Sequence, residues 1–214
     1  MPVTINASTS TGLIQAADTS GTIELQSNGT TRLTVASGGV TTTGNTSIAN
    51  LTATGTFGGG VITSGTAQNS TSGTSIDFTG IPSWVKRITV MFNGVSTSGT
   101  SNIRIQIGSG SITTSGYVSA TWSANTINAT NTGGFLTTAQ KTTSSVYHGI
   151  STITLLSSNT YVESHTLGDS GASNFTSVGG GNITLSGSLD RVRITTVNGT
   201  DTFSAGSINI MYEG

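Results

Sequence analysis

The sequence predicts an all-β protein, in which a short β-rich N-terminal segment precedes a C-terminal β-sandwich of jelly-roll type. Only 33% of its 214 residues are hydrophobic and 7% are charged, and Ser, Thr and Gly supply much of the rest. Disordered chains are usually rich in charge and poor in β-branched residues, whereas this chain is rich in Thr, Val and Ile. Short alternating runs recur between Gly, Asn and Ser, and no stretch of ~10–12 residues has helical periodicity.

Residues 1–60 form the first predicted region. Two runs in it, TIELQ and TRLTV, flank Asn28-Gly29, a strong signal for a tight turn. Each run places its apolar residues on one face: Ile23 with Leu25, and Leu33 with Val35. The residues that follow have only isolated apolar side chains, too few to offset the ordering entropy of one copy: Val40, Ile48, Leu51 and Phe57. We therefore predict a stalk in which three chains share a core, with a docking tether as the alternative, and a hinge at Thr56–Gly60.

Residues 61–214 form the second predicted region, the β-sandwich. Its runs alternate strictly, as in Ile88 with Val90 and Phe92, or Ile103 with Ile105 and Ile107. Asn93-Gly94 and Asn198-Gly199 are predicted to close two of the strands. About seven or eight alternating strands over such a length are typical of a sandwich or jelly roll.

An unusual stretch, IPSWVKRITVMF, precedes the strongest predicted strand. Trp84 beside Lys86 and Arg87 could stack on a sugar, but Pro82 fits the turn before a strand because it fixes φ and lacks a donor. We predict a strand entrance, with Trp84 covering the end of the core.

Several functions are excluded by composition. The net charge of −1 and the lack of a Lys/Arg stripe argue against nucleic-acid binding. No apolar run approaches the ~18 residues of a membrane span, and the first residues have no basic and apolar signal-peptide regions. The absence of Cys removes disulfides and thiolate chemistry. We expect a chain made and assembled in a cytoplasm.

Candidate catalytic and metal-binding groups are sparse. Glu163 and His165 alternate onto one face of YVESHTL, where we expect a polar outer face instead of an acid–base pair. The possible metal ligands His148, His165, Glu163 and Asp169 lack a tight ligand spacing. The carboxylates Asp169, Asp190 and Asp201 cannot be paired from sequence as glycoside hydrolysis requires. We assign no catalytic, cofactor-binding or metal-binding residue and predict no cofactor and no enzymatic activity.

Candidate binding residues lie in two turn-rich stretches, Ser119–Phe135 and Leu167–Gly181. Loops carried by a rigid scaffold often hold binding residues, and Trp beside amides suits stacking on a sugar ring. We predict Trp122, Phe175 and Asn174 as host-surface contacts, with a buried Trp122 as the alternative.

The stretch SGTSIDFTGIPSWVKRITVMFNGVSTSGTSNIRIQIGSGSITTSGY and the ending LDRVRITTVNGTDTFSAGSINIMYEG closely resemble the C-terminal domain of bacteriophage tail-fibre and related virion proteins. The resemblance implies a homotrimeric virion appendage that contacts other virion proteins and a glycan or protein on the host surface, and it transfers no catalytic residue. The leading hypothesis is a short tail fibre on the virion. A capsid decoration or head fibre docked through residues 1–60 is the second hypothesis, and a polysaccharide depolymerase is the third.

Overall fold

A computed structural model describes residues 22–43, 62–123, 127–171 and 175–214. Every regular element in these ranges is a strand, and every strand pairing is antiparallel, which confirms the predicted all-β class. The described ranges contain no helix long and apolar enough to cross a membrane. The chain divides into two compact units, Met1–Thr54 and Gly55–Gly214.

The first unit contains a three-stranded antiparallel sheet: β1 (Ile23–Ser27), β2 (Thr30–Ala36) and β3 (Gly39–Thr42). Asn28 and Gly29, at φ 52° and 69°, close the hairpin between β1 and β2. Such a two-residue turn needs positive φ at both positions, which Asn and Gly adopt most easily. The turn predicted at Asn28-Gly29 is therefore confirmed.

One face of this small sheet is apolar. Cross-strand pairing aligns Ile23 with Val35, Leu25 with Leu33, and Val35 with Val40. Because paired residues point to the same side, all five side chains share a face, and all but the half-buried Leu33 are exposed. The predicted faces are confirmed. Ile48, Leu51, Phe57 and the hinge predicted at Thr56–Gly60 lie outside the described residues.

The second unit contains two sheets. The large sheet has the order β11-β10-β15-β14-β13-β7-β17-β4, with β5 also paired to β17, and the small sheet has the order β12-β8-β16-β6, with β9 paired to β8. The large-sheet strands are β4 (Ile62–Ser64), β5 (Gln68–Asn69), β7 (Arg87–Thr97), β10 (Val118–Ser123), β11 (Ile127–Asn131), β13 (Tyr147–Ser157), β14 (Thr160–Asp169), β15 (Thr176–Thr184) and β17 (Phe203–Glu213). The small-sheet strands are β6 (Ser75–Thr79), β8 (Ile103–Ser109), β9 (Ser111–Ile112), β12 (Phe135–Leu136) and β16 (Arg191–Thr196).

The two sheets of this unit share one hydrophobic core. Alternation along β6, β7, β8, β16 and β17 directs their apolar residues into it, as predicted: Ile76, Phe78, Ile88, Val90, Phe92, Ile103, Ile105, Ile107, Val192, Ile194, Ile208 and Ile210. One turn prediction is wrong. Asn93-Gly94 lies inside β7, where Gly94 has φ 67° and the pairing with β17 shifts in register. The local positive φ makes a bulge there instead of a strand end.

The interior beneath β10, β13, β14 and β15 contains many hydroxyls beside apolar side chains such as Ile153, Leu167 and Ile183. Its buried side chains include Ser119, Thr121, Ser123, Ser151 and Ser177. The backbone N–H of Leu136 donates to Ser119 Oγ at 2.8 Å, and that of Ala139 donates to Ser177 Oγ at 3.4 Å, so two of these hydroxyls accept from the segment that follows β11. Beneath these strands, the domain interior is thus a mixture of apolar and polar side chains.

Tyr117 joins the start of β10 to the small sheet. Its buried hydroxyl accepts a hydrogen bond from the Ile107 backbone N–H at 2.8 Å. Its ring meets Phe135 edge-on, with the ring centroids 5.0 Å apart. The strand that carries Trp122 is therefore anchored by the residue that directly precedes it.

The stretch before β7 is a strand entrance, as predicted. The Val85 backbone N–H donates to the Pro82 carbonyl at 3.1 Å and closes a turn. Trp84 packs against the core and lies 5.9 Å from the Tyr212 ring, centroid to centroid. Arg87 pairs with Glu213 on the outer face.

Candidate functional site

Glu163 and His165 lie inside the domain, and the prediction that they form a polar outer face is wrong. Neither side chain has any exposed surface. They point inward because β14 places them on the same face as Tyr161 and Leu167, two large side chains that pack in the core. Those two apolar neighbours in the same alternation are the sequence signal that identifies the buried face.

The two groups form a continuous hydrogen-bond network. His165 Nδ1 lies 3.0 Å from Glu163 Oε1, and the same oxygen accepts from Ser151 Oγ at 2.7 Å. His165 Nε2 lies 2.9 Å from Thr121 Oγ1. A hydroxyl, an imidazole and a carboxylate in this order resemble an acid–base relay. A relay with no exposed atom cannot reach a substrate, so we interpret the network as a polar tie between β10, β13 and β14.

Glycines in β15 make room for this network. A Cβ on Gly179 would lie 2.6 Å from His165 Cε1, and one on Gly181 would lie 3.1 Å from the Phe135 ring. These glycines belong to the run SVGGGN, residues 177–182, all of which lies within β15.

No metal site is present among the described residues, where no three His, Asp or Glu side chains come together. Both ring nitrogens of His148 are hydrogen-bonded: Nδ1 accepts from the Gly94 N–H at 3.1 Å, and Nε2 lies 3.0 Å from Ser170 Oγ. Asp169 Oδ1 accepts from the backbone N–H groups of Val146 and Gly171.

The remaining carboxylates of the second unit hold turns and strands together. Arg193 binds Asp77 through two nitrogens, at 2.7 and 2.6 Å. The Arg191 guanidinium holds the pKa of Asp190 below its ordinary value through a hydrogen bond. Hydrogen bonds from the Asn198 amide and then from a backbone N–H lower the pKa of Asp201. Each of these carboxylates thus has its own structural partner, and no two of them face a common cleft.

Trp122 is the predicted binding residue that remains available. It is 47% exposed and lies in β10, between β11 and β15, and not in a loop. Phe175 is only 6% exposed, so the prediction that it is displayed for binding is wrong. Asn174 lies outside the described residues.

Three rows of side chains cross the outer face of the large sheet around Trp122, as strand pairing aligns them. The first row is Asn128, Trp122, Val178, Thr166 and Ile150. The middle row is Thr130, Ala120, Gly180, Ser164 and Thr152, and the third is Val118, Asn182, Val162 and Thr154. Because the middle row is small at its centre, the face carries a shallow trough across the strands, which we name the cross-sheet groove.

The cross-sheet groove is uncharged. The two carboxylates of these strands, Glu163 and Asp169, point inward, and no Asp, Glu, Lys or Arg belongs to the three described rows. Comparisons with protein-family models, curated proteins and solved structures find no match for this chain. Among the described residues, the cross-sheet groove and the apolar face of the first unit are the two candidate binding surfaces.

Proposed function

We propose that this chain is a structural bacteriophage virion protein, a short homotrimeric tail fibre with a distal jelly-roll-like β-sandwich that contacts the host surface. The observation that carries the host contact is the half-exposed Trp122 on an uncharged sheet face. Soluble proteins seldom display a large aromatic ring among further apolar side chains unless that face binds something. The burial of Glu163 and His165 favours binding over catalysis.

The trimeric part of the proposal is supported by the first unit. A three-stranded sheet with one exposed apolar face lacks a core of its own. Three copies packed face to face would bury these side chains around an axis, and each fully buried Leu or Val contributes about 1.5–3 kcal/mol.

A substitution on this face tests the trimer. Leu25→Asp places a carboxylate in the proposed interface, so we expect light scattering to show monomers where the wild type is a trimer. Thr34→Asp, on the opposite face of β2, is the matched control and should remain trimeric. A wild-type monomer at micromolar concentration, or a trimeric Leu25→Asp variant, would contradict the proposal.

Imaging tests the place of the chain in the virion. We expect gold-labelled antibody against this chain to mark the tail of negatively stained particles. Label on the capsid would instead favour a decoration protein or head fibre. Particles without label, from a lysate in which the antibody detects the chain, would refute a virion protein.

A further inference from the structure

We propose that the cross-sheet groove binds a neutral glycan chain that lies across the strands, with one sugar ring stacked on Trp122. This inference names the ligand of the host contact and rests on the proposed function for its setting. Glycan binding itself is a property of the isolated protein and can be measured without virions.

The shape of the groove suits an extended chain. Neighbouring rows lie two residues apart along each strand, about 7 Å, and the five strands from β11 to β13 span about 19 Å. Ala120, Gly180 and Ser164 give a low floor between rows that contain Trp122 and Val162. At the far end from Trp122, a depression of about 140 Å³ is lined by Ile150, Thr152, Ser164 and Thr166, and by His165, whose side chain is buried on the other face of the sheet.

The polar groups of the groove are available to a ligand. The side chains of Asn128, Asn182, Ser164, Thr152 and Thr166 make no hydrogen bond to any described residue. Amides and hydroxyls both donate and accept, which matches the hydroxyl groups of a sugar. An apolar ring beside such groups is the usual composition of a site for a ligand with one apolar and one polar face.

The charge distribution selects a neutral ligand. An anionic polysaccharide would require Lys or Arg beside the rings, as charged ligands are bound through charge-assisted hydrogen bonds. The nearest such side chain along the rows, Arg87, is already paired with Glu213. The outer face of the small sheet differs, because its Arg193 and Asp77 are exposed and paired with each other. A neutral glycan is therefore the ligand class that this face fits.

Isothermal titration calorimetry with the full-length protein tests the inference. The probes are three neutral hexasaccharides, maltohexaose, cellohexaose and chitohexaose, and one anionic hexasaccharide, hexagalacturonate. We expect at least one neutral probe to bind and the anionic one not to bind. Trp122→Ala should weaken binding about tenfold, because a stacking contact and its buried area are lost.

A second variant blocks the groove without removing Trp122. Ser164→Tyr fills the floor and should weaken binding at least as much, whereas Thr79→Tyr, on the exposed face of the small sheet, should leave affinity unchanged. Circular dichroism checks that each variant is folded.

Four results would overturn the inference: no neutral probe binds at millimolar concentration, only hexagalacturonate binds, both groove variants keep wild-type affinity, or Ser164→Tyr separates the copies of the chain. The last result would identify the face as a contact between copies. Labelled virions with no glycan binding would overturn this inference alone, and glycan binding without virion label would overturn the proposed function alone.

Discussion

Removal of one hydroxyl, in Tyr117→Phe, should destabilise the second unit by about 1–3 kcal/mol near neutral pH. The ring and its contact with Phe135 remain in the variant, so no cavity forms. The buried Ile107 N–H, which donates to the Tyr117 oxygen at 2.8 Å, loses its acceptor. An unsatisfied buried donor costs about 1–3 kcal/mol.

The effect should depend on pH, because burial raises the pKa of Tyr117 from 10.0 to about 12. A raised pKa means that the folded state favours the neutral phenol. Its contribution is therefore complete below pH 10.0, the ordinary value, and is lost as the pH rises through about 12. A difference of about two units corresponds to about 3 kcal/mol. The stability advantage of the wild type over the variant should shrink by up to this amount across that window.

Guanidinium unfolding followed by tryptophan fluorescence, from about pH 8 to about pH 12, measures this difference. Both tryptophans, Trp84 and Trp122, belong to the second unit, so the signal reports on that unit. Burial also raises the pKa of Tyr147, but Tyr147 titrates in both proteins and cancels in the difference. Equal stability near neutral pH would refute the role of the hydroxyl. A difference that stays constant across the window would refute the titration.

Three further outcomes are expected. Gly179→Ala should cost about 1–3 kcal/mol in urea unfolding, because its Cβ would lie 2.6 Å from His165 Cε1, whereas Gly168→Ala, with no heavy atom nearer than 3.9 Å, should be nearly neutral. The advantage of wild type over Asp201→Asn should be full above pH 3.8 and fall as the pH drops through the lowered pKa of Asp201, measured by urea unfolding in acid. The wild type should release no reducing sugar from host envelope polysaccharide, and release that is abolished in folded Glu163→Gln would reveal a depolymerase.

Strand alternation predicted well which apolar residues of β6, β7, β8, β16 and β17 lie in the core. In β7, the alternating residues Ile88, Val90 and Phe92 are buried, and in β8 Ile103, Ile105 and Ile107 are buried, so the period of two identifies the face that carries the core. The rule does not identify every buried position, because Gln106 and Gly108 of β8 are buried on the opposite face. The hairpin at Asn28-Gly29 was equally predictable, because only a few residues adopt positive φ at both turn positions.

The burial of polar side chains could not be predicted by the same rule. Alternation shows which residues share a face, and polarity is then used to decide which face is inside. For Glu163 and His165 that second step gives the wrong face, because these two polar residues are buried and hydrogen-bond to each other and to buried hydroxyls of neighbouring strands. Other strands supply those hydroxyls, Ser151 from β13 and Thr121 from the more distant β10, so the run YVESHTL alone cannot reveal them.

The sequence predicted Trp122 as a binding residue but did not predict the groove beside it. The composition around Trp122 suggested a loop, yet the alternation of SATWS is that of a strand, with Trp122 on the outer side. The groove beside it depends on the register of five strands, which places Ala120, Gly180 and Ser164 in one row. Register is a long-range property, and local sequence carries little information about it.

The hydroxyl-rich interior beneath β10, β13, β14 and β15 has a consequence for temperature. Exposure of apolar surface raises the heat capacity on unfolding, and exposure of polar surface lowers it. An interior that includes buried hydroxyls therefore gives a smaller heat-capacity change than a purely hydrocarbon interior of equal size. The curve of unfolding free energy against temperature is then flatter, so the folded state loses less stability on cooling or warming away from its optimum. Such a domain would hold its shape over a broad span of temperatures outside a cell.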